Sequence, residues 1–221
     1  MQPYITAYTH EETKNNILEV MEQYFTDQPA ALAAERTPIE VTLAGKKLNL
    51  EGAQGVFSAR HLDKATAVLL AEAPPPPESG TFLDLGCGWG PLAISLGIFR
   101  PKAKVLAVDV SERARDLTRT NAQRAGVCLQ VGSPKEILAA AESAGGLDLI
   151  WSNPPVRIGK KPLQDLLLTW LPLLKPGGEA ILVMGKNLGA DSMQKWLCAQ
   201  GFPTRRLASK KGFRLLAVSP A

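Results

Sequence analysis

The sequence predicts an α/β fold in which seven strands form a mostly parallel sheet with helices on both faces and an antiparallel hairpin at the C-terminus. Three observations predict it. From Thr81 onward, short apolar runs alternate with helical patterns, the signature of a doubly wound sheet. The first strand-to-helix turn, LDLGCGWG, is rich in glycine. The last two apolar runs are joined only by SKKG, long enough for an antiparallel turn and too short for a parallel crossover.

Taken in order, the chain opens with a helical pattern at Glu11–Phe25, where Ile17, Leu18, Met21, Tyr24 and Phe25 share one face. Val41–Leu50 alternates about Ala44–Lys47 and reads as a hairpin. Leu62–Ala73 reads as a helix stopped by the stiff run Pro74–Pro77. These give an N-terminal extension over 1–73 packed on the core, a Pro-rich connection over 74–80, and the core over 81–221. Core strands are expected at Thr81–Leu85, Lys104–Asp109, Val127–Val131, Leu147–Trp151 and Glu179–Met184, then at Thr204–Ala208 and Phe213–Val218. Between them, Pro91–Phe99 begins with a proline suited to a first helical position. Glu112–Ala125 lies between a Ser111 cap and a Gly126 terminator.

The 221 residues are 45% hydrophobic and 21% charged, values ordinary for a soluble domain with a substantial core. No apolar run is long enough to span a bilayer and no signal-peptide layout is present, so a cytoplasmic monomer is expected. Three widely spaced cysteines and two histidines support neither disulfides nor a metal site. The formal charge of +4 is modest, but the run TRRLASKKGFR holds five basic side chains and no acid. Lys210 and Lys211 are therefore candidate phosphate contacts, against the alternative of a solvated turn.

In a doubly wound sheet a ligand binds at the strand ends where the chain order reverses. Gly86, Gly88 and Gly90 let the backbone turn and approach that ligand closely. Asp109, with Val110 beside it, ends the second strand where a carboxylate can accept from both ribose hydroxyls. A dinucleotide is disfavoured: Pro91 stands where a third spaced glycine would fall, and Asp84 would repel a pyrophosphate. Asp84 suits a cationic ligand.

After the fourth strand the chain reads SNPPVRIGK. Asn153 followed by Pro154 and Pro155 makes a stiff loop that offers an amide oxygen and backbone carbonyls. Such acceptors can take the hydrogens of an exocyclic amine and turn its delocalised lone pair toward an electrophile. Arg157, Lys160 and Lys161 follow and must lie near the acceptor. Cys87 and His61 have no catalytic context, and Trp89 reads as core.

The pattern DxGxG with a strand-end acid resembles the S-adenosylmethionine site of class I methyltransferases, a Rossmann-like fold. SNPP resembles the catalytic loop of amino-methyltransferases acting on bases. GVFS followed by HLDKATAVLL resembles the segment before the core in the bacterial 16S ribosomal RNA guanine-N2 methyltransferase family. The likeness covers Ala53–Val218. It implies S-adenosylmethionine as donor and ribosomal RNA or the small ribosomal subunit as partner. It also implies cofactor roles for Asp84, Gly86, Gly88 and Asp109, catalytic roles for Asn153, Pro154 and Pro155, and packing of Phe57 near the adenosine or the base. Two features depart from the family. Val156 replaces the usual stacking aromatic, leaving Phe57 or Arg157 to stack, and Ser133 stands in for the acid that holds the adenine amine. Methylation of a protein glutamine or a small molecule, and a silent binding module, remain as rival readings.

Overall fold

The computed structural model describes residues 29–221, so the expected helix at Glu11–Phe25 lies outside the described residues. The chain then forms a two-stranded antiparallel hairpin from β1 (Arg36–Leu43) and β2 (Lys46–Ala53). Its turn is Ala44-Gly45, with φ of 48° and 80°. Two positive φ values in a two-residue loop match the twist of the flanking strands, which pins the register Leu43↔Lys46.

Helix α1 (Lys64–Glu72) follows, then β3 (Thr81–Leu85), α2 (Pro91–Phe99), β4 (Lys104–Val108), α3 (Glu112–Ala125) and β5 (Gln130–Gly132). The second half contains α4 (Pro134–Ser143), β6 (Leu147–Ser152), α5 (Lys160–Trp170), β7 (Leu174–Gly185), α6 (Ala190–Ala199), β8 (Thr204–Lys210) and β9 (Phe213–Val218). The seven-stranded sheet has the order β5-β4-β3-β6-β7-β9-β8, with β9 antiparallel to both neighbours. This is the Rossmann-like arrangement that the sequence predicts. Strand order reverses between β3 and β6, so a crevice opens at their carboxyl ends.

Alternation along the strands sorts the core into two layers. Leu83, Leu106, Ile150 and Leu182 face α4, α5 and α6, whereas Phe82, Ala107, Trp151 and Val183 face α1 and α2. Each fully buried leucine contributes about 1.5–3 kcal/mol of apolar burial. The hairpin packs on α2 and α3 through Ile39, Leu43 and Leu50, which meet Trp89, Ile94 and Leu117. Buried Asn121 locks that junction. Its Nδ2 donates to the carbonyls of Glu51 (2.7 Å) and Trp89 (2.9 Å), and its Oδ1 accepts from Glu51 N–H at 2.8 Å.

The N-terminal hairpin runs over Arg36–Ala53 rather than Val41–Leu50 and β8 runs on to Lys210, and two further strand boundaries differ from expectation for identifiable reasons. The third core strand was expected from Val127 but begins at Gln130. Gly126 sits at φ 67° and Val127 N–H returns to the Ala122 carbonyl, so this stretch closes α3 before pairing can start. β7 begins at Leu174 rather than Glu179, because Leu174 pairs with Leu147 before an irregularity at Leu147/Leu149. At the C-terminal hairpin, Lys210 pairs with Phe213 within the ladder, and the turn is Lys211-Gly212 at φ 49° and 83°. Among the described residues, no helix is long and apolar enough to cross a membrane.

Candidate functional site

Asp84 lies at the end of β3, 1% exposed. Its Oδ2 accepts from Ala93 N–H at 2.9 Å, in the first turn of α2, while Oδ1 has no partner. Burial pushes its pKa up to about 7. The Ala93 bond acts in the opposite sense, and the neighbouring Asp109 charge adds to the rise. An unpartnered buried carboxylate oxygen in a cavity wall calls for a cationic ligand.

The loop after β3 is tied to β4 by Gly86 and Cys87 N–H groups, which donate to the Val108 carbonyl at 3.0 and 2.9 Å. Gly86 (φ 82°) and Gly88 (φ 57°) adopt left-handed backbone, and a Cβ at either would project into open space. That space is where a ligand would lie against bare backbone. Gly90 has a different part. A Cβ there would meet the Thr118 side chain at 3.1 Å, so this glycine permits close packing of α2 on α3 and does not line the cavity.

Asp109 is held at both oxygens, by Gly88 N–H on Oδ2 and Ser111 N–H on Oδ1, each at 3.0 Å. Burial raises its pKa, and bonds from Ser111 and Gly88 and the charge of Arg115 oppose the rise. Arg115 donates to the carbonyls of Asp109 and Val110 at 2.8 Å, which fixes the strand end. Cys87 is buried and its thiol is pushed well up by burial and by Asp109 and Asp84, so it stays a packing residue. Trp89 is 2% exposed and also belongs to the core.

Across the order reversal, β6 delivers Asn153. Ser152 Oγ donates to the Leu85 carbonyl at 2.7 Å and so fastens the start of this loop to the end of β3. Pro155 sits at φ −75°, ψ 72°, the inverse γ-turn, and Val156 N–H donates to the Pro154 carbonyl at 2.8 Å. One lone pair of that carbonyl is thereby used and one remains. Asn153 Nδ2 donates to Asp63 Oδ2 at 2.9 Å and to Thr66 Oγ1 at 3.0 Å.

Asp84, Gly86, Gly88, Asp109 and Val110 share one cavity of about 650 Å³ with Asn153, Pro154, Pro155, Arg157 and Phe57. That size suits a cofactor. The fold thus gathers most of the residues picked from the sequence. Ser133 is a correction: it caps α4, its N–H and hydroxyl are both bonded to Glu136, and it lies outside the cavity lining, where Pro134 takes its place. Lys160, Lys210 and Lys211 also lie outside the lining. Four of the five cations of the basic run are matched to acids: Arg205 to Glu179, Arg206 and Arg214 to Asp191, and Lys210 to Glu72. Sequence reasoning missed Asp63, Thr66 and the half-exposed Leu188, all cavity-lining. Asp63 precedes a helix in HLDKAT and was legible only as a cap.

The sequence profile of the methyltransferase small domain matches residues 47–217. The chain belongs to the methyltransferase small domain family. Its methyl donor is S-adenosylmethionine, and the unpartnered Asp84 oxygen, the open glycine cradle and Asp109 fit that molecule's amino, backbone-facing and ribose portions. Among relatives, an uncharacterized Bacillus subtilis protein, YbxB, is 28% identical over 88% of this chain and 96% of its own length. Ribosomal RNA small subunit methyltransferase C of Hahella chejuensis is 34% identical over 73% of this chain. The chain spans only 46% of that protein, about half the length of such relatives. A solved structure, the Thermus thermophilus 16S rRNA N2 G1207 methyltransferase in complex with AdoMet and guanosine, shares the fold. Its TM-score is 0.70 and its identity 21%, over 86% of this chain and 52% of that one.

Proposed function

We propose that this methyltransferase acts on an exocyclic amino group of a nucleic-acid base, with the 2-amino group of guanine in 16S ribosomal RNA as the assignment the relatives favour. The observation that carries it is the Asn153 amide. Its nitrogen is committed to Asp63 and Thr66, and its oxygen is left without a partner among the described residues, on a cavity wall shared with Asp84. An aromatic amine is a poor nucleophile because its lone pair is delocalised into the ring. Asn153 Oδ1 accepts one amine hydrogen and the free lone pair of the Pro154 carbonyl accepts the other. The nitrogen then presents its lone pair to the donor, and both oxygens support the charge it gains. Held by Asp84, the Gly86–Gly88 cradle and Asp109, S-adenosylmethionine would supply an electrophilic methyl group, and the amine that takes it would give up one proton to water. No strong base is required.

For the nucleic acid, the proposal moves the grip from the C-terminal hairpin, where most cations are paired, to the cavity mouth. There Phe57 is 66% and Leu188 56% exposed, large apolar side chains that a flipped base can cover. Arg157 lines the cavity and Lys160 follows it. Arg60 lies within the segment from Phe57 to Asp63, and Lys64 follows it directly. These four cations are exposed and have no ion-pair partner among the described residues. They are the proposed phosphate contacts, and Phe57 or Arg157 supplies the stacking surface that Val156 does not.

The test is labelled methyl transfer from S-adenosylmethionine with small ribosomal subunits, free ribosomal RNA and ribosome-free protein presented side by side. Label in RNA supports the proposal. Label confined to protein transfers the same chemistry to a glutamine amide, and no label in any fraction overturns the nucleic-acid reading.

A further inference from the structure

Both hydrogens of Asn153 Nδ2 are held by residues that precede the glycine loop by some twenty positions and belong to no sheet strand: Asp63, the N-cap of α1, and Thr66, in its first turn. One oxygen of Asp63 receives three donors, the N–H groups of Ala65 (2.7 Å) and Thr66 (3.1 Å) as well as Asn153 Nδ2. Thr66 is 4% exposed and α1 is packed on the sheet through Ala65, Val68 and Leu69, so these acceptors stand on a rigid element. An amide can be placed either way round by shape alone, since its two ends are alike in size. A carboxylate removes the ambiguity, because a flipped amide would set Asn153 Oδ1 against a negative oxygen.

We propose that Asp63 and Thr66 are the positioning residues of the catalytic loop: together they orient the Asn153 amide so that Oδ1 faces the acceptor amine. The Asp63 charge polarises that amide and strengthens Oδ1 as an acceptor. This inference rests on the role proposed for Asn153 and adds that the segment before the sheet completes the catalytic apparatus. It also gives Asp63 a function separable from helix capping.

Three full-length variants separate the roles. Thr66→Val keeps shape and leaves the cap untouched. Asp63→Ser keeps a capping oxygen but is too short to reach Asn153. Asp63→Asn keeps both contacts and removes only the charge. The first readout does not depend on activity. In nitrogen-15 spectra of the full chain, the Asn153 side-chain amide is assigned by its loss in Asn153→Ala. Its two protons should be shifted and slow to exchange in the wild type, and should lose both properties in Thr66→Val and Asp63→Ser. The second readout is turnover on the acceptor fraction that takes up label. Thr66→Val should lower kcat about 3–10-fold, Asp63→Ser tenfold or more, and Asp63→Asn less than Asp63→Ser, each with S-adenosylmethionine affinity nearly unchanged. None of the three losses should add to that of Asn153→Ala, because the residues act through it.

Amide resonances indifferent to Thr66→Val and Asp63→Ser would overturn the inference, as would kcat losses that persist in the Asn153→Ala background. If Asn153→Ala itself leaves turnover intact, the catalytic reading fails while the amide spectra still report whether Asp63 and Thr66 hold Asn153.

Discussion

Replacing Asp84 by asparagine should make the ligand-free protein more stable and cofactor binding weaker, two effects of opposite sign from one atom. The carboxyl has been raised from 3.8 to about 7, so its ionised form is penalised in the folded chain by on the order of 4 kcal/mol. The direction with pH follows. Below about 3.8 the group is protonated in both folded and unfolded chains, and no penalty exists. Between 3.8 and about 7 the unfolded chain ionises while the folded chain stays protonated, so stability falls as pH rises. Above about 7 the loss is complete. Asparagine removes this slope. Its Oδ1 can keep the Ala93 bond, and its uncharged amide costs about 1–3 kcal/mol where its hydrogens lack partners. The net gain at about pH 8 is therefore roughly 1–3 kcal/mol, or some 2–10 °C in Tm for a chain of this size. Cofactor binding moves the other way, because the proposed charge-assisted bond to the amino group is lost, about 1.5–3 kcal/mol or some 10–150-fold in Kd. In the wild type, affinity should also drop about tenfold per pH unit below 7, since binding requires the ionised form. Scanning calorimetry from about pH 5 to 9 and titration calorimetry with S-adenosylmethionine measure both. A variant that binds as tightly as the wild type, or that is less stable at about pH 8, would refute the reasoning.

Other predictions follow from the same geometry. Asp109→Ala removes the acceptor of Gly88 and Ser111 N–H as well as the proposed ribose contact, and should weaken cofactor binding by about 1–3 kcal/mol in the same calorimeter. Asn121→Ala strips three bonds from buried backbone between the hairpin and the glycine loop and should destabilise the fold by about 2–4 kcal/mol, measured by urea unfolding. Arg157→Ala with Lys160→Ala should flatten the dependence of log RNA affinity on log salt by about 0.7–0.9 per lost contact, whereas Lys210→Ala with Lys211→Ala should change it less. Filter binding across salt concentrations decides between mouth and hairpin.

The sequence exposes those parts of the fold whose signals are local. Pro91 and Ser111 mark helix starts that the structure reproduces at Pro91–Phe99 and Glu112–Ala125, because capping and proline stereochemistry act within one turn. The late start of β5 was hidden, since closure of α3 over Gly126 and strand formation compete for the same residues. In the cavity, Asp84, Asp109 and Asn153 were legible because glycine spacing and a Pro-Pro loop are contiguous patterns. Asp63 and Thr66 were not, for their bonds to Asn153 cross some ninety residues and their local pattern is that of any capped helix. The basic run misled for a related reason. Glu72, Glu179 and Asp191, which pair with four of its cations, lie on α1, β7 and α6 outside the run and meet it only in the folded chain.

The central claim is that Asn153 prepares a base amino group for methylation. It is tested most directly by single-turnover transfer from labelled S-adenosylmethionine to small ribosomal subunits or their RNA, followed by digestion to nucleosides. The wild type should yield a base methylated on its exocyclic nitrogen, with N2-methylguanosine expected. Asn153→Ala should bind the donor normally yet transfer roughly 10²–10³-fold more slowly, the loss typical of one preorganised polar group. Equal rates in the two proteins, or label recovered on a ribose, a ring carbon or protein, would contradict the account.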